Sequence, residues 1–354
     1  MFRFNYNLRK YMCNSIGVKF RVTTFGESHS KALGAVIDGC PAGVEFCEGD
    51  ITKYLNGSGV FDCLKTRRNE PNQPEILSGV YKGRTLGTPV AIVIHNKAAD
   101  SSQYMRLEGI ARPSHAEYEY YSKFGLYDPR GGGRSSGREC VSRHAAAALA
   151  DKILTSKNII LEPSVIELGG IKITDDQHIG EILKSVLEKS SAGDSTGGIF
   201  EVKIKNLPAG VGSPVFQKLD AQIASAVMSV GGVKSVEIGS GIEAARLSGK
   251  EANDVFCYDD AGALKTRTNH SGGICGGIST GFDIIVRAAV KPTPSIYIEQ
   301  DTIDFYHKKN VKINLKGRFD VNFTPRAMAA AVSTLKIIIL DNLILSGIIP
   351  PDKI

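Results

Sequence analysis

Three consecutive glycines, Gly131-Gly132-Gly133, stand directly ahead of Arg134-Ser135-Ser136-Gly137-Arg138-Glu139 and a helix-forming run, Cys140 to Ala150. Residues without a Cβ let the backbone turn tightly and approach another group closely, so this stretch restricts the architecture more than any other. Val141, Ala145, Ala148, Leu149 and Ile153 recur at a spacing near 3.6, which predicts a helix, with Ser136 as cap and Glu139 three residues later. The free N–H groups of that first turn would suit an anion, with phosphate the natural guest. The loop alone is equally compatible with a flexible glycine linker ahead of a surface helix.

The rest of the chain bears on that choice. Its 354 residues are 42% hydrophobic and 23% charged, with 38 glycines and no tryptophan, enough for a large core in one big domain or two ordinary ones. The net charge of +6 suits an anionic small molecule. No block of Lys/Arg with interleaved aromatics points to nucleic acid. Seven cysteines, none in a CxxC pair or with zinc-ligand spacing, read as free thiols and predict a cytoplasmic protein without a metal site. The strongest apolar run, Leu335 to Leu345, is broken by Lys336, Asp341 and Asn342 and falls short of the ~18 residues a membrane span needs. The basic, aromatic start, Met1 to Tyr11, lacks the apolar core of a signal peptide, and Met12 is an alternative first residue.

In order, the pattern predicts a strand around Val18, Phe20 and Val22, a break from Thr23 to Ser30, and a strand from Leu33 to Ile37. His29 therefore falls in a turn between two strands, and His115 in a second loop beside Arg112. Residues 51 to 75 read as a polar, solvated stretch. Strands are expected at Leu77 to Arg84, Pro89 to Ile94, Ile199 to Ile204 and Asp283 to Ala289, and helices at Ile179 to Lys189, Pro214 to Val230 and, with Thr324-Pro325 as cap and first residue, up to about Leu345. This segregation favours an α+β sandwich of β-α-β layering over a doubly wound sheet. Arg138-Glu139 stands where a Walker loop needs Lys-Ser/Thr, and no GxGxxG follows an early strand, so neither usual nucleotide fold is supported.

Taken together, several stretches resemble the chorismate synthase family: Thr23-Thr24-Phe25-Gly26-Glu27-Ser28-His29 with Asp38-Gly39-Cys40-Pro41-Ala42-Gly43, Tyr127-Asp128-Pro129-Arg130 running into the glycine loop, Arg112-Pro113-Ser114-His115-Ala116, Gly272 to Gly277, Lys291-Pro292-Thr293, and Gly317-Arg318-Phe319-Asp320 with Pro325-Arg326-Ala327. The resemblance spans about residues 15 to 345. It implies one catalytic domain at 15–350 after an extension at 1–14. It also implies a homotetrameric lyase that converts 5-enolpyruvylshikimate 3-phosphate to chorismate and phosphate by 1,4-anti elimination, the last step of the shikimate pathway. Reduced FMN is the implied cofactor, supplied by an external flavin reductase or another reduced-flavin source, with NADP as the associated nucleotide. By similarity, Arg134, Ser135, Ser136, Gly231, Gly232, Gly276, Lys291, Pro292, Thr293, Pro294, Ser295 and Arg318 contact FMN. His29 matches the acid for the leaving phosphate, His115 the group that protonates or stabilises the reduced flavin, and Asp320 an aspartate that assists proton removal. Ser28 and Ser136 match supporting serines, and Arg68 and Arg138 are the implied substrate contacts.

The chain departs from the family where an Arg-Arg-Arg-Pro-Gly run is usual and Asn56 to Cys63 stand instead. Phe319 replaces a histidine and Val332 lies near a lost glutamate. A flavin-binding homologue with impaired or no turnover is therefore the alternative expectation.

Overall fold

The structure, a computed structural model, describes residues 14–56, 60–64, 70–98, 101–102, 104–174 and 178–350. Two five-stranded antiparallel sheets enclose the two longest helices. The first holds Ser15–Ile16 (β1), Arg21–Phe25 (β2), Ala32–Asp38 (β3), Pro74–Ser78 (β4) and Val90–His95 (β5), in the order β1-β2-β3-β5-β4. The second holds Ile160–Leu168 (β6), Ile171–Lys172 (β7), Gly198–Lys205 (β8), Val233–Ile238 (β9) and Ile284–Val290 (β10), in the order β9-β10-β8-β6-β7. Period-2 burial fixes their faces: Val90, Ile92 and Ile94 are fully buried in β5, and Ile284, Val286 and Ala288 point inward from β10.

The principal helices are Glu48–Leu55 (α1), Glu117–Phe124 (α2), Cys140–Ser156 (α3), Ile179–Ser191 (α4), Leu219–Met228 (α5) and Thr324–Leu345 (α6). Helix α3 lies on the first sheet, α6 on the second, and the two pack against each other. Both are buried on nearly every side at their centres, where Ala145, Ala146, Ala147, Ala330, Ala331 and Leu335 are all fully buried. Small side chains let the helix layers approach closely, and all-round burial follows from having a sheet behind and a helix in front. This is the expected α+β sandwich. Helix α6 is long and apolar enough to cross a membrane by composition, but 78% of its most apolar window is buried inside the fold. The polar residues that interrupt its apolar run are engaged there: Lys336 pairs with Asp151 at 2.8 Å, Asn342 exchanges hydrogen bonds with Gln222, and Asp341 accepts three backbone N–H groups.

Several elements differ from the pattern-based expectation. Strand β2 starts at Arg21 and includes Thr23 and Thr24, while Val18 is 67% exposed. The cause is Asp341, which draws the N–H groups of Val18, Lys19 and Phe20 away from any ladder. The polar stretch after residue 47 contains α1, anchored by a single fully buried residue, Ile51. The helix expected from Pro214 begins only at Leu219, and Phe216 is 94% exposed. Thr324 is the first residue of α6 and Asn322 Oδ1 accepts its N–H at 2.8 Å, so the cap lies earlier than Thr324. The six described cysteines are all free thiols.

Candidate active site

The glycine loop is the floor of the site. Gly131 (φ 60°, ψ 11°), Gly132 (φ 85°, ψ 9°) and Gly133 (φ 54°, ψ −126°) all occupy backbone regions that favour glycine. The loop is not the N-terminus of an α-helix: tight 3-10 turns at Arg130–Ser135 and Gly137–Glu139 intervene before α3. Ser136 caps the second turn by accepting the Arg138 N–H at 3.3 Å, and Glu139 forms no capping box, being held by Thr24 and Arg143 instead. What demands glycine here is contact from remote segments. A Cβ on Gly131 would sit 2.0 Å from Cε1 and Nδ1 of His29, and one on Gly132 would sit 2.6 Å from Cε1 of His115. Two adjacent glycines thus seat two histidines that are 86 positions apart in the chain (115 − 29).

Each histidine is held from behind. Ser28, almost fully buried, places Oγ 3.1 Å from His29 Nδ1, and Tyr104 meets the His29 ring edge-on at 5.3 Å. The Arg112 guanidinium lies over the Tyr104 ring, 5.6 Å from its centroid, and pairs with Glu117, the first residue of α2. Glu117 Oε1 is also 2.9 Å from His115 Nδ1. The two histidine subsites are therefore joined through Tyr104 and Arg112.

Burial alone would push the Glu117 carboxyl up, but the His115 hydrogen bond and the Arg112 charge outweigh it and hold the group down to about 2. A carboxyl depressed in the folded state stabilises the protein above its unfolded value near 4.5 and loses that contribution as pH falls toward 2. The span corresponds to on the order of 3 kcal/mol. Denaturant midpoints measured between pH 5 and 2 should fall more steeply for the wild type than for Glu117→Gln; equal slopes would show that Glu117 carries no such linkage.

Around this floor opens a cleft of about 1500 Å³. That is larger than the roughly 300–1,000 Å³ usual for one small ligand, and so roomy enough for two. Its walls carry Arg112, Arg134, Arg138, Arg143, Lys291, Lys316, Arg318 and Arg326. Arg134 donates to Thr24 Oγ1 at 2.8 Å and to Gly26 O and Asn14 Oδ1 at 3.3 Å. Ser135 Oγ donates to Gly132 O, which tightens the glycine turn. Arg138, 7% exposed, donates to the amide oxygens of Asn96 and Asn72. Lys291 Nζ donates to Ser114 O at 2.6 Å, tying the end of β10 to the His115 loop, and burial together with Lys234 lowers its ammonium pKa. Asp320 pairs with Arg326 of α6 at 2.8 Å. Such a surface has the charge to suit multiply anionic ligands.

Comparison with known proteins gives this cleft its context. The sequence profile of the chorismate synthase family matches residues 20–344. The chain belongs to the chorismate synthase family. Chorismate synthase from Methanosarcina mazei is 44% identical, covering 96% of this chain and 98% of its own length. The Methanothermobacter thermautotrophicus enzyme is 43% identical over 96% of each chain, and that of Lachnospira eligens 43% identical over 92% and 94%. A solved chorismate synthase structure superposes with a TM-score of 0.74 at 27% identity, covering 96% of this chain and 95% of that one.

Within this family fold, the sequence-predicted residues converge well. Ser28, His29, His115, Arg134, Ser135, Ser136, Arg138, Gly231, Gly232, Lys291 to Ser295, Arg318 and Asp320 all line the one cleft. Gly276 is the exception. It occupies the turn of the Ile274–Cys275/Ile278–Ser279 hairpin, with open space around its Cα and no place on the wall of its own chain's cleft. Arg68 lies outside the described residues. Sequence reading missed Tyr104, Glu117 and Arg326. The one available signal was the spacing Arg112-x-x-His115-x-Glu117, which puts opposite charges on either side of a histidine.

Proposed function

We propose that the protein converts 5-enolpyruvylshikimate 3-phosphate to chorismate and phosphate by 1,4-anti elimination, using reduced FMN. The observation that carries this reading is the seating of two histidines on adjacent glycines inside one cation-lined cleft. A phosphate leaves readily only if its charge is neutralised, and histidine is the side chain suited to proton transfer near neutral pH. His29, backed by Ser28, is the acid for the leaving phosphate. His115 acts on the cofactor side, and Asp320 assists proton removal, oriented by Arg326.

The residues present fit a flavin phosphate and isoalloxazine. Among the described residues, the buried Thr293 Oγ1 has no hydrogen-bond partner, as suits a group that would meet a ligand. Arg134, Ser135, Ser136, Gly231-Gly232, Lys291 to Ser295 and Arg318 would hold the cofactor, whose reduced ring supplies an electron-rich face to the substrate. Arg138, and by sequence Arg68, would bind the substrate. The same reading includes a homotetramer, to which Gly276 would contribute from its hairpin, and an external source of reduced flavin in the cytoplasm. It also takes residues 15–350 as the catalytic domain and 1–14 as an extension whose last residue, Asn14, reaches Arg134.

An anaerobic assay with chemically reduced FMN and the enolpyruvyl phosphate substrate tests this directly. Stoichiometric release of phosphate with the appearance of chorismate absorbance is expected. Tight FMN binding without release at micromolar enzyme would overturn it in favour of a flavin-binding homologue without turnover.

A further inference from the structure

We infer that Glu117, anchored by Arg112, is a positioning residue that fixes the His115 imidazole with its proton on Nδ1 and keeps Nε2 as the working nitrogen. The inference rests on the proposed role of His115. Glu117 is 6% exposed and does not line the cleft, so it reaches the chemistry only through another side chain. Its Oε1 accepts from Arg112 and lies 2.9 Å from His115 Nδ1. Arg112 Nη2, which can only donate, lies 3.3 Å from Nδ1 and 3.4 Å from Nε2; the shorter 2.9 Å contact to the carboxylate, which can only accept, puts the proton of a neutral imidazole on Nδ1 and leaves Nε2 as the acceptor. Arg112 is itself 6% exposed, and its own packing against Tyr104 stops the carboxylate from swinging away. The start of α2 adds the favourable end of a helix dipole, since Glu117 is its first residue. On the opposite edge, Gly132 closes on Cε1 and Nε2 of the same ring. The imidazole is thus clamped between a charged pair and a bare backbone, an arrangement that sets both its tautomer and its direction. An imidazole oriented by a buried carboxylate loses much of its catalytic value when that partner goes, because the wrong nitrogen then carries the proton.

The test has two independent arms. In flavin-free protein labelled with ¹⁵N-histidine, with His115 assigned by its loss in His115→Asn, the ring should be protonated at Nδ1 in the neutral form; protonation at Nε2 in the wild type would overturn the inference. In the anaerobic assay, Glu117→Ala should lower kcat about 100-fold at little change in KM, and Glu117→Asp should recover most of that loss. A Glu117→Ala enzyme within threefold of wild-type kcat would overturn it. Should the alanine variant fail to fold, with Arg112 left uncompensated, the Arg112→Met/Glu117→Leu double variant, which removes charge and acceptor together, decides through the ring alone: neutral His115 should no longer be held in the Nδ1-protonated form, and Nδ1 protonation as complete as in the wild type would refute the inference. A wild type with no turnover would count against the proposed elimination, while the tautomer measurement would still judge Glu117.

Discussion

Gly131→Ala should leave a folded protein whose turnover has dropped by a factor on the order of 10³. The backbone itself tolerates the change at modest cost: φ 60° and ψ 11° lie in the left-handed helical region, where a Cβ costs roughly 1–2 kcal/mol. That is a small share of the stability of a chain this size. The new methyl, however, would stand 2.0 Å from both Cε1 and Nδ1 of His29 and 2.9 Å from Ser28 Oγ. Contacts that short cannot persist, so the ring must move by an ångström or more. Ser28 is fixed by burial, leaving His29 as the group that yields, and displacement away from Gly131 breaks its edge-on contact with Tyr104. Misplacement of a reacting group by about 1 Å costs on the order of 10²-fold, and loss of a positioned general acid 10²–10⁴-fold. Gly132→Ala should act the same way through His115, whose ring atoms lie 2.6 and 2.9 Å from the place its methyl would take. Thermal unfolding and anaerobic phosphate release, measured on the same preparation, separate the two effects. Turnover within threefold of wild type for Gly131→Ala would refute this account of the loop.

The same contacts explain why the glycine run is conspicuous in the sequence while its purpose is not. Three glycines before an alanine-rich helix announce a close approach, and composition then points to an anion. The structure shows that the approaching groups at Gly131 and Gly132 are two imidazoles, brought from segments whose distance along the chain hides them. Helix α3 was legible because its apolar residues repeat near every 3.6 residues, α6 because Thr324-Pro325 opens an alanine-rich run, and β5 and β10 because their apolar residues are nearly continuous. Strand β6 was not, since Glu162, Pro163 and Glu167 interrupt it and its stability comes from pairing with β8. Tyr104 was illegible, and Glu117 was marked only by its spacing from Arg112 and His115, for a related reason. An exposed-looking aromatic and a glutamate in a polar stretch acquire meaning only when Arg112 is folded between them.

Asp341→Ala should destabilise the fold by on the order of 4 kcal/mol, as much as truncating a large core side chain. In the sequence Asp341 reads merely as an interruption of an apolar run. In the fold it is fully buried, and its carboxylate receives the N–H of Val18 on Oδ2 at 2.9 Å and those of Lys19 and Phe20 on Oδ1 at 2.7 and 2.8 Å. Hydrogen bonds to a charged group contribute roughly 1.5–3 kcal/mol each, and a buried donor left unpaired costs about 1–3 kcal/mol. Water can reach Val18 and Lys19, which are exposed, so those two losses are partly made good. The N–H of Phe20, whose residue is fully buried, has no such substitute. Asp341→Asn should cost less in volume but still sets an amide N–H₂ against at least one backbone donor, giving an intermediate loss. The damage then propagates along β2, because this turn delivers the chain to Thr24, which holds Arg134 at the cleft and donates to Glu139. Urea unfolding should therefore show a lower midpoint for Asp341→Ala than for Asp341→Asn, and hydrogen exchange at Phe20 should accelerate in both. A loss below about 1 kcal/mol for the alanine variant, with Phe20 still protected, would mean that the segment before β2 is held by its apolar packing and not by the carboxylate.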